Sequence, residues 1–157
     1  MEKTNVMRIL EQHHIEYKSH TYPHGKDAVD GETVAKLLNQ NPDHVFKTLV
    51  ARAKSKAIYV FVIPVAKELD LKKAAKAVGE KSVELIAVKE LLGLTGYVRG
   101  GCSPVGLKKP YPITIHETAN DITNIIVSAG KIGFQIDLKP SDLINLTGAK
   151  TADLICK

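Results

Sequence analysis

The sequence is poor in aromatic residues and in cysteine, and it has no long hydrophobic run. It contains no tryptophan, and aromatic side chains make up 5% of its 157 residues, so we expect a core of aliphatic side chains. No apolar run approaches the roughly 18 residues of a membrane span, and the first residues lack the apolar segment of a signal peptide. The two cysteines, Cys102 and Cys156, give no support for a disulfide between them. These absences favour a protein of the reducing cytoplasm without a membrane partner.

What is present is typical of a globular protein, with 44% hydrophobic and 25% charged residues. This length predicts one domain over residues 1–157. The net charge is +5, and lysines cluster between residues 67 and 76, at Lys81 and at Lys108–Lys109. Each cluster alone is more simply explained as a solvated helix face. Three clusters in a small basic protein favour a polyanionic partner such as nucleic acid.

Hydrophobic patterning predicts strands that do not alternate strictly with helices. The predicted strands cover residues 16–22, 45–51, 57–65, 83–88, 113–116, 124–128 and 134–138. The predicted helices cover residues 5–14, 71–78, 89–94 and 142–146, with another beginning at Asp30 or Gly31. N-caps are expected at Thr4, Asp70 and Ser141, and Gly79 is expected to end the helix over 71–78. A turn at Pro23, His24 and Gly25 ends the first strand, and a turn at 54–56 joins two later strands as a hairpin. This order is typical of a mixed or antiparallel sheet flanked by helices.

A glycine-rich stretch from Thr95 to Gly106 is the most distinctive local feature, with four glycines, an arginine, a cysteine and a proline. Glycine tolerates positive φ and close approach of a ligand to the backbone. The stretch therefore suits either a cradle that turns backbone N–H groups toward a ligand oxygen or a tight surface turn. A P-loop is excluded, because Leu107 occupies the position where that motif needs lysine.

Several kinds of catalytic site lack their residues. There is no HExxH or CxxC motif, so we expect no metal. Cys102 has no motif around a histidine that marks a partner base, which makes a catalytic thiol improbable. Lys47 lies in an otherwise apolar strand, where it either points outward to solvent or faces a polar site. The pattern alone favours neither interpretation of Lys47.

Six motifs together resemble those of the YbaK/EbsC family of free-standing aminoacyl-tRNA deacylases. They are VFKTL at 45–49, IPV at 63–65, LDLKK at 69–73, TGYVRGG at 95–101, SP at 103–104 and VSAG at 127–130. The resemblance runs from about Thr4 to Asp153. It implies an α/β fold of the α+β type, with a mixed, mostly antiparallel, barrel-like sheet flanked by helices, as in the editing domain of prolyl-tRNA synthetase.

The resemblance also implies an activity, namely deacylation of mischarged Cys-tRNA(Pro), and of Cys-tRNA(Cys) as a further substrate. The substrate's own thiol would attack the ester, so neither a cofactor nor a catalytic base is expected; the enzyme is formally a lyase if the thiol attacks and a hydrolase if water does. The implied partners are aminoacyl-tRNA, chiefly tRNA(Pro), and prolyl-tRNA synthetase, and a monomer is expected. The alternatives are a deacylase for Ala- or another aminoacyl-tRNA(Pro), and a non-catalytic RNA-binding protein with the editing fold.

The same resemblance implies the site residues. Lys47 would contact the acceptor end of the tRNA, the backbones of Gly100 and Gly101 would bind the reacting ester, and Tyr22 and Ser128 would line the substrate site. Turn packing for Tyr22 and a strand-to-turn cap for Ser128 are the structural alternatives. The sequence departs from the family at one position: some relatives have an acidic residue seven positions after the motif serine, where this chain has Gln135. Asp137 lies two residues further on, which leaves a carboxylate role in doubt.

Overall fold

The computed structural model of the chain describes residues 3–24 and 30–157. Gly25, which we placed with Pro23 and His24 in a turn, lies outside the described residues. The helices are α1 (Asn5–Gln12), α2 (Gly31–Leu37), α3 (Leu71–Val78), α4 (Val88–Thr95) and α5 (Pro140–Thr147), with a 3₁₀ helix at Glu117–Asp121. The strands are β1 (Tyr17–Thr21), β2 (Phe46–Ala53), β3 (Ile58–Pro64), β4 (Val83–Leu85), β5 (Ile113–His116), β6 (Ile125–Ser128), β7 (Phe134–Leu138) and β8 (Lys150–Ala152).

The strands form two sheets, so the expected α+β class is confirmed, but the described strands do not close into the barrel that the resemblance implied. One sheet has the order β1-β7-β6 and the other β4-β2-β3-β5-β8. Four of the six strand pairings are antiparallel, while β3–β5 and β5–β8 are parallel. The sheets meet at an isolated parallel bridge between Val45 and Ile126. One bridge is too short a contact to make the two sheets a continuous ladder.

The hairpin predicted across residues 54–56 is confirmed. Strands β2 and β3 pair in antiparallel register from Phe46 opposite Pro64 to Arg52 opposite Ile58. Ala53 N donates to Ala57 O (2.9 Å) and closes the turn. Pro64 lies at the end of its strand, where its missing N–H is tolerated.

Local capping rules predicted three of the helix ends correctly. The side chains of Thr4 and Asp70 accept from backbone N–H groups at the starts of α1 and α3, and Gly79 ends α3 with φ +73°. The N-cap expected at Ser141 is wrong: α5 begins with Pro140 after Lys139, which makes no side-chain cap. Proline suits the first helical position because it has no N–H to leave unpaired. Among the described residues, no helix is long and apolar enough to cross a membrane.

The two faces of β2 and β3 enter different hydrophobic cores, because successive strand residues point to opposite sides. Phe46 and Val62 belong to a core shared with α1 and the three-stranded sheet. Phe61 and Ile63 belong to a core covered by α3. A third, smaller cluster packs Ala35 of α2 onto Val45, Val65 and Ile126, over the bridge between the sheets. The cores are mostly aliphatic, as the composition predicted.

Strand β8 was not predicted, and it runs parallel to β5 at the edge of the larger sheet. It is only three residues long, and two of them are exposed, so its sequence has no apolar alternation. The chain end beyond it is fixed by His116, whose Nδ1 accepts from Leu154 N (3.2 Å). His116 is 3% exposed. Burial lowers its pKa, an effect that the nearby Asp153 carboxylate opposes only in part.

We predict that burial of His116 makes the folding stability of the protein decrease in acid. In the unfolded chain its imidazole takes up a proton near the ordinary pKa of about 6.5, whereas the buried ring stays neutral to lower pH. The unfolded state therefore binds more protons, and this contribution to stability is complete above pH of about 6.5 and lost as pH falls toward the folded pKa. We expect the urea midpoint to fall between pH of about 7.5 and 5.5.

His116→Asn removes the titrating ring but keeps a polar side chain. It should lower the urea midpoint at every pH and flatten its decline with acid. His13→Asn changes an exposed histidine and should keep the wild-type decline. Identical pH slopes for wild type and His116→Asn would contradict the assignment.

Candidate functional site

A small cavity opens where β2 and β6 separate. At the bridge, Ile126 N donates to His44 O (2.8 Å). Beyond it, β2 continues to Lys47 and β6 to Ser128, and a cavity of about 120 Å³ lies between them. This is well below the roughly 300–1,000 Å³ of sites for drug-sized ligands. The cavity therefore fits a small chemical group.

Four of the five predicted site residues line this cavity: Tyr22, Lys47, Gly100 and Ser128. They come from the end of β1, from β2, from the glycine-rich stretch and from β6. The inner wall is apolar and is formed by Val34, Val45, Val65 and Phe134. The cavity thus joins charged and polar groups to an apolar wall, an arrangement typical of small-molecule sites.

Lys47 faces the cavity because of the period of its strand. Val45 and Lys47 are two residues apart and share one face of β2, and Val45 packs against Val65 beneath α2. The opposite face, with Phe46 and Val50, enters the main core. Lys47 is half-buried, and no ion pair of Lys47 occurs among the described residues. Its ammonium is therefore a cation that the described carboxylates do not neutralise.

The backbone of Thr48 also faces the cavity. Val65 N donates to Val45 O (2.8 Å), so every second residue from Val45 onward bonds to β3. Val50 O instead accepts from Ile86 N (3.1 Å) on the other side of β2. Thr48 falls in the same alternation as Val50, and β4 pairs with β2 only from residue 51 onward. The N–H and C=O of Thr48 therefore point toward the space between the sheets.

The glycine-rich stretch forms a tight turn at the cavity. Gly101 N donates to Val98 O (3.0 Å), and Gly100 has φ +85°, the value of the third residue of a type II turn. Gly100 lines the cavity, and its N–H lies outside the turn's own hydrogen bond. The turn expected for this stretch is therefore present, and one of its residues borders the cavity, while binding of a ligand oxygen by this stretch stays a prediction.

The expectation for Gly101 needs correction. Its N–H is already used by Val98, and it does not line the cavity. A Cβ at Gly101 would lie 3.1 Å from Ile132 N, closer than packing normally permits. Gly101 therefore favours the close approach of two loops, a role that the motif alone could not distinguish from ligand binding.

Tyr22 and Ser128 each have a structural contact as well as a place at the cavity. Tyr22 is 8% exposed, and its N–H donates to Gly133 O (3.0 Å), which prolongs the pairing of β1 with the chain before β7. Ser128 Oγ accepts from Gly130 N (3.1 Å). The cap expected for Ser128 is therefore present, and its hydroxyl hydrogen can still be donated to a ligand.

Cys102 lines the cavity but is a poor nucleophile. Its side chain belongs to the main core, it is 7% exposed, and burial raises the pKa of its thiol to about 11. Because the thiolate is the reactive form, almost none of Cys102 is reactive at neutral pH. Cys102 and Cys156 are both free thiols, and Cys156 is exposed.

Gln135 was not predicted as a site residue, and its partner Gln40 was not singled out from the sequence. Gln135 lines the cavity, and Gln40 Nε2 donates to Gln135 Oε1 (2.8 Å). The two residues are 95 positions apart in the chain, and no pattern in the sequence predicts that they are in contact. The comparison of motifs could therefore draw attention to Gln135 but not to Gln40. Asp137 does not line the cavity; its carboxylate is bound by Asn124 Nδ2 (2.9 Å) and lies 3.0 Å from His20 Nε2.

Comparisons with known proteins converge on one kind of protein. The model of the aminoacyl-tRNA editing domain family matches residues 25–146. EbsC of Enterococcus faecalis, named for Cys-tRNA(Pro)/Cys-tRNA(Cys) deacylase activity, is 45% identical over 156 residues, which cover 99% of this chain and 95% of the relative.

Solved structures show the same fold. One, described as a trans-editing enzyme for prolyl-tRNA synthetase, is 25% identical with a TM-score of 0.81, covering 99% of this chain and 100% of that one. A second, of a hypothetical protein, is 22% identical with a TM-score of 0.86 and covers 98% of this chain and 100% of that chain. At that identity the second structure supports the fold alone.

The second prediction follows from the two thiols. In the native protein at a pH of about 8, a disulfide reagent should react quickly with Cys156 and slowly with Cys102, since thiolate fraction and access control the rate. We expect one fast equivalent in native protein and two after unfolding. Cys156→Ser should abolish the fast phase, whereas Cys102→Ala should leave it intact. A fast phase that persists in Cys156→Ser would show that Cys102 is activated.

Proposed function

Because the chain belongs to the aminoacyl-tRNA editing domain family, we propose that it is a trans-editing deacylase that removes cysteine from mischarged Cys-tRNA(Pro). The main support is a relative that is named for this activity and is 45% identical to the chain over nearly its whole length. The cavity supports it, since a cation, a turn glycine and two hydroxyl side chains surround a space suited to a small aminoacyl group. Cys-tRNA(Cys) is included as a second substrate on the same ground.

Lys47 is the proposed catalytic residue of this chain. The backbone of Lys47 is held in β2, next to the point where the two sheets meet. Its ammonium can therefore hold the acceptor end of the tRNA through a phosphate or a ribose oxygen. The N–H of Gly100, a residue that lines the same cavity, is proposed to donate to the ester oxygen that becomes negative in the transition state. Tyr22 and Ser128 are proposed to orient the substrate beside these groups. Positioning of this kind can supply much of the acceleration of an intramolecular reaction.

The proposed nucleophile is the substrate's own thiol. Its sulfur attacks the ester carbonyl carbon, the bond from that carbon to the ribose oxygen breaks, and the ribose oxygen receives the proton that the thiol loses. The products are free tRNA and a cyclic thioester, and no oxidant or reductant is needed. A cysteine thiol with a pKa of about 8.5 is partly ionised at neutral pH. The raised pKa of Cys102 favours this route over one that uses a protein thiol.

The remaining parts of the proposal concern context. The chain is proposed to act as a single domain and a monomer in the cytoplasm, where tRNA is charged. Its tRNA partner is chiefly tRNA(Pro), which it would bind either alone or together with prolyl-tRNA synthetase.

Purified protein should be incubated with Cys-, Ala- and Ser-tRNA(Pro), and the aminoacyl ester remaining should be followed with time. Faster loss of alanine than of cysteine would replace this substrate assignment, and binding without loss of any ester would favour a non-catalytic RNA-binding protein.

The third prediction tests Lys47. Lys47→Met keeps an unbranched stem and removes the charge, so deacylation of Cys-tRNA(Pro) should fall by about 10² or more, the scale expected when positioning fails. Stability should change little, within about 0.5 kcal/mol, because the strand face keeps its packing. Single-turnover rates and melting temperatures should be measured on the same preparation.

Lys76→Met is the matched control. It removes one positive charge from an exposed position on α3 and should leave the rate within a few-fold of wild type. Full activity in a folded Lys47→Met protein would remove Lys47 from the site. Lost activity together with a collapsed melting temperature would make Lys47 a structural residue.

A further inference from the structure

A pair of hydrogen-bonded glutamine side chains lies beside the cavity. Gln135 is 6% exposed and lines the cavity. Gln40 Nε2 donates to Gln135 Oε1 at 2.8 Å. The two residues come from β7 and from the chain just after α2, so the pair joins the smaller sheet to the helix above it.

The register of the smaller sheet determines where Gln135 points. It lies opposite His20 of β1 and Ser128 of β6, and residues directly opposite share a face of the sheet. Its neighbour Ile136 is fully buried on the other face, in the main core. The face that carries Gln135 is covered by α2, since Ala35 packs there against Ile126. Gln135 is therefore held between the sheet and the helix.

The backbone at the C-terminal end of α2 holds Gln40 in a defined position. Asn39 has φ +53°, and the N–H groups of Asn39 and Gln40 donate to Lys36 O (3.1 Å) and Ala35 O (2.8 Å). These two bonds are those of a Schellman motif, which ends a helix in one defined backbone conformation. The Gln40 side chain thus starts from a rigid position.

The pair has a direction. Gln135 Oε1 faces Gln40, from which it accepts, so Gln135 Nε2 faces away from Gln40 and its N–H groups are the donors that Gln135 can offer to a ligand. Gln40 Oε1 is buried without a hydrogen-bond partner among the described residues. An unpaired buried acceptor destabilises a fold, and such groups recur where function maintains them.

We propose that Gln135 reads the aminoacyl side chain, donating its amide N–H to the side-chain sulfur, and that Gln40 is the positioning residue that sets the direction of this amide. The inference rests on the proposed function. The apolar wall of Val34, Val45 and Val65 suits a neutral thiol, which is weakly hydrated, and Gln135 adds a hydrogen-bond donor to that wall. Lys47 and Gly100 remain available for the ester and the acceptor end.

The test measures binding of stable analogues as well as turnover. The probes are 3′-amino-3′-deoxyadenosine carrying cysteine or alanine through an amide, which no deacylase of esters consumes. Wild type should bind the cysteinyl probe more tightly than the alanyl probe. Gln135→Leu keeps the side-chain volume and removes the amide, and it should reduce this preference by about three- to tenfold, the worth of one hydrogen bond. Binding of the alanyl probe should not change.

Gln40→Glu tests the direction of the amide. A carboxylate at position 40 can only accept, so it should turn the Gln135 N–H toward itself and present Oε1 to the cavity. The preference for the cysteinyl probe should then fall as in Gln135→Leu, although Gln135 is intact. A purely structural role for Gln40 would weaken both probes equally. Gln12→Leu, an exposed glutamine at the end of α1, is the matched control and should keep the preference.

The two proposals fail in different ways. If wild type binds the cysteinyl probe preferentially through Gln135 but deacylates no aminoacyl-tRNA, the proposed function is wrong and the inference stands. If wild type deacylates Cys-tRNA(Pro) but Gln135→Leu keeps the full preference between probes, the inference is wrong. Equal binding of both probes by wild type would also overturn it.

Discussion

The bridge between Val45 and Ile126 is the contact on which the geometry of the cavity depends. It brings two sheets together at one point and lets β2 and β6 diverge beyond it. A longer ladder would have consumed the backbone groups of Thr48 and filled the space with paired strands. Because the ladder stops at once, hydrogen-bonding capacity is left beside an apolar wall. The α2 helix then covers the bridge, packing Ala35 over it.

The same bridge also determines that the positive charge of Lys47 lies at the cavity. With Val45 packed under α2, the period of two along β2 places Lys47 on the same face, and Phe46 and Val50 must enter the core. The ammonium therefore reaches the cavity without a special turn or a strained backbone. A shift of β2 by one residue would bury Lys47 in the core and expose Phe46, so the packing of the core also protects the position of the cation.

Prediction from sequence succeeded where the determinants are local. The hairpin between β2 and β3, the caps at Thr4 and Asp70, and the αL glycine at Gly79 all follow from a few neighbouring residues. The motif comparison located Lys47, although strand alternation alone left its direction open. It failed for Gly101, because a glycine needed for close packing and one needed for binding look alike in sequence. It could not find Gln40, whose role depends on a contact made only when α2 folds over the smaller sheet.

Among the described residues, two of the three buried side-chain polar atoms without a hydrogen-bond partner lie in or beside the cavity lining. Among the described residues these atoms are Gln40 Oε1, Thr48 Oγ1 and Thr118 Oγ1. The first is bonded through its amide to a cavity residue, and the second belongs to a residue that lines the cavity. An unpaired buried acceptor or hydroxyl costs about 1–3 kcal/mol, a notable share of the 5–15 kcal/mol that stabilises a typical domain. One such group belongs to a residue that lines the cavity and another to a residue that contacts the lining, as expected where a surface leaves polar atoms unpaired for a substrate.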